Sequence, residues 1–293
     1  MTERIVSFLP AATEMVYALG LGDRLIGVSH ECDFPLVAKQ KPVVVRPSLE
    51  FAALTPHEID DAVVHQLHSG ASMYAVDETL LRDLEPDLIL TQDLCQVCAP
   101  SGNEITRLLA SLETRPDVLY FTPKTLADVW SDLHALGDRT GTRDRAEQVV
   151  AGAEQRIAAV VERVSRAADR PRVFFAEWID PVYCAGHWIP EMIELAGGID
   201  PLARPGGESV RVEWTDVVAS APDVVIVAPC GFSADTATAQ IPLLEQRPGW
   251  NDLPAVRTGR VHPVDANAFF ARPGPRLVDG IELLARLLHP RVI

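Results

Sequence analysis

No stretch of this 293-residue sequence stays uncharged for the ~20 residues that a membrane-spanning helix needs. Positive charge is also scarce. Lys and Arg total 26 against 41 Asp and Glu, a net charge of −15, so phosphate-rich partners would be repelled. Nucleic acid and anionic membrane surfaces are thereby excluded, and a neutral or cationic ligand is favoured. The common catalytic signatures are missing too: there is no P-loop, no H-E-x-x-H and no G-x-S-x-G. "GLGDRLIG" lacks the third glycine of a dinucleotide fingerprint and follows a helical pattern instead of a strand. "HECDF" and "HEID" open like zinc-protease motifs but have no second histidine. Cysteine is sparse, five in all, an odd number without framework spacing, which reads as reduced thiols. Met1 to Arg4 lead straight into "IVSFLP" with no basic n-region and no apolar h-region. The expectation is therefore a cytoplasmic protein, the alternative an exported one whose leader lies upstream.

What is present is an alternation of apolar strands and helical patterns, long enough for two lobes of roughly 120 to 150 residues. The halves echo each other. "TEMVYALGLGD" pairs with "PEMIELAGGID", each a Glu-Met helix stopped by glycine. "LEPDLILTQDLC" pairs with "SAPDVVIVAPCG", each a Pro-Asp turn, a β-branched run and a turn carrying cysteine. "VLYFTP" and "RVHPVD" read as a late strand in each half. Continuous apolar runs fit parallel strands covered on both faces. The fold class expected is α/β: two Rossmann-like lobes with mainly parallel sheets, joined by a long rigid helix, with a ligand cleft between the lobes. The expected boundaries are 1–123 for the first lobe, 124–170 for the linking helical segment and 171–293 for the second lobe. Within the link, Arg143 to Ala168 carries Ala146, Val149, Val150, Ala153, Ile157, Val160, Val161 and Val164 at helical spacing, a helix roughly 40 Å long at 1.5 Å per residue. Gly137 and Gly141 are the candidate breaks before it.

In open parallel sheets ligands bind beyond the carboxyl ends of the strands, and that rule selects residues. From the first half come Pro10, Ala11, His30, Glu31, Cys32, Arg46, Gln92, Asp93 and Cys95, with Tyr74 reaching in from an irregular segment. From the second come Trp178, Cys230, Phe232, Asn267, Phe269 and Arg272, with His187 and Trp188 nearby. The aromatic surface suits a large flat ligand, although strand-end cysteines and aromatics also serve as packing. Glu14 and Glu191 hold equivalent repeat positions, read as solvated first-turn residues that favour the helix dipole.

Cys95 and Cys98 form a C-x-x-C, which supplies two of the four ligands of a closed zinc site. His30 and Cys32 would complete a Cys3His set for zinc or another thiophilic metal. A redox dithiol, or plain packing of the cleft wall, stands beside that reading.

The opening "RIVSFLPAATEMVYALGLGDRLIGVS", then "LEPDLIL", "WIPEMIELAGG", "APDVVIVAPCGF" and "GRVHPVDANAFFARPGPRLVDGIELLARLLHP" resemble the substrate-binding proteins of vitamin B12 and iron-chelate ABC importers. "HECD", "SMY" and "DLCQVC" are most similar to the branch labelled cobalamin-binding protein. The resemblance implies a cobalamin-like corrinoid, or another large metal chelate, bound between two lobes without catalysis, with His30 or His187 as the candidate ligand to its metal. It also implies an ABC permease as partner, with Glu14 and Glu191 as the carboxylates that dock each lobe. The competing expectation is a metal- or thiol-dependent enzyme or metal handler centred on His30, Cys32, Cys95 and Cys98.

Overall fold

The computed structural model describes residues 3–49, 54–69, 72–92, 103–112 and 115–292. The chain divides into two compact units, residues 1–123 with 128–150, and residues 124–127 with 151–293. The segment expected as a linker is thus shared between them. Its break falls at Gly141, while Gly137 lies inside the first of its two helices.

The first unit runs β1 (Ile5–Ser7), α1 (Pro10–Ala18), β2 (Leu25–Ser29), β3 (Val43–Pro47), α2 (Pro56–Ser69), β4 (Tyr74–Val76), α3 (Glu78–Leu84), β5 (Leu88–Gln92), α4 (Asn103–Ser111), β6 (Asp117–Phe121) and α5 (Leu126–Thr140). Its six-stranded sheet has the order β4-β3-β2-β1-β5-β6. Every pairing is parallel except β3 with β4. Strands such as "LILTQ" are buried along their whole length, as expected where both faces are covered. Val6, Phe8, Val44, Val45, Leu81, Ile89 and Ile105 form the core of this unit. The order of strands reverses between β1 and β5, and this is the switch point beyond which α/β sheets bind ligands.

The helix α6 (Arg143–Val164) begins in the first unit and continues into the second. It stops short of the expected Ala168. Its last turn tightens to Arg166 N–H→Arg163 O and Ala167 N–H→Val164 O bonds, a common way for a helix end to satisfy its orphan carbonyls. Ala146, Val150, Ala153, Val160 and Val164 are buried as the spacing predicts. Val161, placed on the same face by that spacing, is exposed.

The second unit continues with β7 (Val173–Ala176), β8 (Trp178–Ile179), β9 (Val182–Tyr183), α7 (Ile189–Leu195), α8 (Trp214–Ser220), β10 (Val224–Val227), α9 (Ala234–Glu245), α10 (Pro254–Arg257), β11 (Val261–Pro263), α11 (Ala266–Phe269) and α12 (Leu277–Leu288). Its main sheet is parallel, in the order β11-β10-β7, and β8 and β9 form an antiparallel hairpin beside it.

The echo between the halves has a physical form. Helices α1 and α7 both carry proline in their first turn, at Pro10 and Pro190, where the missing N–H costs nothing. Both end at a left-handed glycine, Gly20 (φ 76°) and Gly197 (φ 83°), a conformation that glycine adopts without a Cβ clash. The Pro-Asp turns match in more detail. Asp87 Oδ2 accepts the N–H groups of Glu3 and Arg4 at 2.9 and 3.0 Å. In the other unit, Asp223 Oδ2 accepts the Arg172 N–H at 2.8 Å. Each aspartate therefore pins its own strand (β5, β10) to the start of the neighbouring one (β1, β7). The residues just before these turns, Glu85 and Ala221, are both left-handed. The late strands β6 and β11 then pair with β5 and β10.

Among the described residues no helix is long and apolar enough to cross a membrane.

Candidate functional site

In the second unit the carboxyl ends of β7, β10 and β11 bring the expected residues into one bonded network. Glu177 follows β7, and its carbonyl accepts the Cys230 N–H at 3.1 Å, tying the turn after β10 to the end of β7. Next to it, Trp178 meets Phe232 edge to face, with ring centroids 5.5 Å apart and planes at 75°, a favoured aromatic geometry. The Trp178 indole N–H donates to Asp180 O at 3.2 Å. From α11, Asn267 Nδ2 donates to Gly231 O at 3.0 Å, so the turn that carries Cys230 is held from both sides. Asp265 caps α11 by accepting the Ala268 N–H at 2.8 Å. Phe232, Phe269 and Arg272 are all partly exposed, and Cys230 is exposed. This surface offers apolar ring edges, a cation and a thiol at the end of a sheet.

Trp188 belongs to the interior instead. It is 6% exposed, and its indole N–H donates to Phe270 O at 2.8 Å. The expectation of a binding-surface Trp188 is therefore corrected: the ring anchors α7 to the segment after α11. Its neighbour His187 is partly buried, 5.5 Å from Trp188 centroid to centroid, and burial pushes its pKa below the ordinary value.

In the first unit the expected residues fall into two groups. Around the ends of β2 and β3, the His30 N–H donates to Val45 O and its ring lies 6.2 Å from Tyr74. Arg46 pairs with Ala75, one residue from Tyr74, across the antiparallel edge. His30 Nδ1 is 3.4 Å from Ser29 Oγ, and Nε2 is 4.0 Å from Glu31 Oε1. The second group is inside. Pro10 and Ala11 are buried in the first turn of α1. Cys32 is 2% exposed, and the Thr13 hydroxyl donates to its sulfur at 3.0 Å. Gln92 closes β5 and is buried as well. For Pro10, Ala11, Cys32 and Gln92 the expectation of open lining residues is corrected. Each ends or follows a strand and is covered by neighbouring side chains.

Asp93, Cys95 and Cys98 lie outside the described residues. Among the described residues no three His, Cys, Asp or Glu side chains gather as metal ligands would. Cys184 is buried, and burial is the first cause of its raised pKa; such a thiol stays protonated and unreactive.

Glu14 is 5% exposed, which corrects the expectation of a solvated carboxylate. Glu191 is partly exposed and engaged, since its Oε2 accepts the Leu126 N–H at the start of α5. Sequence reasoning missed the segment 204–211. Its Gly206-Gly207 pair runs alongside residues 183–187, with Cys184 N–H→Val210 O at 3.0 Å and Gly206 N–H→His187 O at 2.9 Å. The "RPGGES" run was the available signal, a turn motif with no obvious strand beside it.

A family model described as "Periplasmic binding protein" matches residues 5–268. The uncharacterized ABC transporter substrate-binding lipoprotein YvrC of Bacillus subtilis is 24% identical, over 98% of this chain and 80% of its own length. A vitamin B12-binding protein of Vibrio cholerae is 26% identical, over 98% of this chain and 89% of its own. Among solved structures, the periplasmic heme-binding protein RhuT from Roseiflexus sp. RS-1 superposes with a TM-score of 0.74 at 21% identity, covering all of both chains. The periplasmic vitamin B12 binding protein BtuF of Vibrio cholerae gives a TM-score of 0.70 at 22% identity, over 99% of this chain and 97% of its own. At these identities the structural likeness speaks for the fold.

Proposed function

This chain belongs to the periplasmic binding protein family, and on that premise we propose that it captures a large, flat metal chelate of the corrin or porphyrin class and does no chemistry on it. The observation that carries the reading is the partly exposed Trp178–Phe232 edge-to-face pair at the carboxyl ends of β7 and β10, with Phe269 and Arg272 on the same unit. Such a surface covers an apolar macrocycle with rigid rings. His30, Tyr74 and Arg46 are a separate set of aromatic and polar groups on the first unit.

Within that class a corrinoid is the first ligand to test. Relatives named for vitamin B12 binding align with nearly the whole chain, which supports a corrinoid as a candidate beside the porphyrins. The net charge of −15 disfavours strongly anionic cargo and suits a ligand whose periphery is mostly amide.

An ABC permease is the proposed partner, supported by the relative named as a substrate-binding lipoprotein. The names of the relatives also support the exported alternative over the cytoplasmic expectation. Docking through Glu14 and Glu191 requires both to leave the positions described, one buried and one bonded to Leu126 N–H.

The test is retention of chelate after desalting. Purified protein incubated with hydroxocobalamin, and separately with ferric protoporphyrin IX, should keep one of them at about one equivalent. A protein that leaves the column colourless from both incubations refutes the reading.

A further inference from the structure

Given the proposed capture of a macrocycle, on which this step rests, we infer that Arg247 is a positioning residue of the site. It sets the Trp178 ring through the turn of the β8–β9 hairpin. That hairpin is too small to hold itself. Its strands have two residues each, paired Trp178 with Tyr183 and Ile179 with Val182, and an isolated ribbon of two strands is marginal even when longer. Ile179 and Val182 are buried in the core of the second unit. Trp178, one residue before Ile179, falls on the other face of the strand and is partly exposed.

The turn at Asp180-Pro181 governs where that ring lies. The Trp178 indole N–H donates to Asp180 O at 3.2 Å, so ring and turn move together. Arg247 grips the turn from outside the hairpin. Its Nη2 donates to Ile179 O at 3.2 Å and to Asp180 Oδ1 at 3.1 Å. One guanidinium nitrogen thus holds a backbone carbonyl and a carboxylate on adjacent residues.

The grip stands on a rigid base. The Arg247 N–H donates to Leu244 O where α9 ends, and Arg247 O accepts the Trp250 N–H. The guanidinium lies over the Trp214 ring, 5.9 Å from its centroid, within cation–π range. Trp214 is fixed in turn. Its indole N–H donates to Pro248 O at 2.7 Å, and its ring stacks on the buried Trp250 with centroids 6.1 Å apart and planes at 29°. A relay therefore runs from the core to the surface: Trp250, Trp214, Arg247, the hairpin turn, and Trp178 against Phe232.

The remaining guanidinium donor is informative. Arg247 Nε is buried and has no hydrogen-bond partner among the described residues. An open buried donor costs stability, so a clasp shaped for stability alone would turn the fork to satisfy it. The fork faces the turn instead. Lysine would keep the charge toward Asp180 but lose the planar face on Trp214.

The test is a double-mutant cycle on the full chain. Hydroxocobalamin and ferric protoporphyrin IX are titrated into wild type, Arg247→Met, Trp178→Ala and the double variant, and affinities are read for the retained chelate. Methionine leaves an apolar chain against Trp214 and removes the grip. Arg247→Met should bind about tenfold more weakly than wild type. In the Trp178→Ala background the same change should cost less than about twofold, because the ring it positions is gone. Equal losses in both backgrounds are what a merely structural role gives, and they overturn the assignment. Wild-type affinity in Arg247→Met overturns it as well. If far-ultraviolet circular dichroism finds Arg247→Met unfolded, Asp180→Ala, which removes the carboxylate end of the grip, takes its place in the cycle with the same two outcomes. Arg166→Met breaks an exposed ion pair at the end of α6 and should leave affinity unchanged. A wild type that retains neither chelate overturns the capture reading and this assignment together, whereas additive losses overturn the assignment alone.

Discussion

Glu191 Oε2, in the first turn of α7, accepts the Leu126 N–H at 3.0 Å and so caps the start of α5. A helix N-terminus leaves its first N–H groups without partners, and here a residue 65 positions away supplies one acceptor. The carboxylate expected to face a transporter is thus already part of the architecture of the second unit, to which both residues belong.

Glu191→Ala should lower stability by about 1 kcal/mol, the usual cost of a lost N-terminal cap. Glu191→Gln, which keeps an acceptor oxygen, should cost less. Urea unfolding followed by circular dichroism measures both. Equal midpoints for wild type and Glu191→Ala would show that the bond contributes nothing.

The paired Pro-Asp turns give a second expectation. Asp87 holds two backbone N–H groups and Asp223 holds one. Their replacement by alanine should therefore destabilise in the same order, each by about 0.5 to 1.5 kcal/mol, the usual net worth of a hydrogen bond, since the donors are exposed. The comparison is internal to one protein. A larger loss at Asp223 would break the proposed equivalence.

Asp132 lies on α5 with its carboxyl pushed up to about 7, first by burial and second by Asp128. Oδ2 has no hydrogen-bond partner among the described residues. Between the ordinary carboxyl pKa of 3.8 and about 7, the folded state holds a proton that the unfolded chain has released. This group's contribution is then fully present at low pH and is lost as pH rises through that window. Asp132→Asn should raise stability at pH 8 by about 1 kcal/mol, a figure discounted because the group keeps contact with water. It should also flatten the fall in stability between pH 4 and 7. An unchanged slope in the variant would remove Asp132 from the account.

Much of this was readable beforehand, for physical reasons that differ by element. The strands "LILTQ" and "VVIV" are short apolar runs ending in polar turns, and both became buried parallel strands. The Gly stops of α1 and α7 follow from a conformation that few other residues accept. What sequence could not show was depth. Cys32 follows β2 as Cys230 follows β10, and Trp188 and Trp178 each stand at the start of an element, but Cys32 and Trp188 are covered while Cys230 is exposed and Trp178 partly exposed. The difference comes from contacts distant in sequence, Thr13 on Cys32 and Phe270 on Trp188. The bond between Gly206 and His187 was illegible for the same reason, since Gly206 has no local pattern that aims it there.

The aromatic pair should matter for ligand and little for fold. Trp178→Ala and Phe232→Ala each remove one partner of an edge-to-face contact, worth about 0.5 to 1.5 kcal/mol beyond area burial. Loss of stacking area against a macrocycle adds to that on the ligand side, so each variant should bind chelate about tenfold more weakly. Far-ultraviolet circular dichroism should stay that of the wild type. Undiminished affinity in both variants would move the site elsewhere.

The most direct measurement is an absorbance titration of the full chain with hydroxocobalamin and, in parallel, ferric protoporphyrin IX, followed by desalting. The account predicts a shifted spectrum that saturates near one equivalent and survives the column for at least one of the two. Free-ligand spectra throughout both titrations, with colourless protein after desalting, would contradict it.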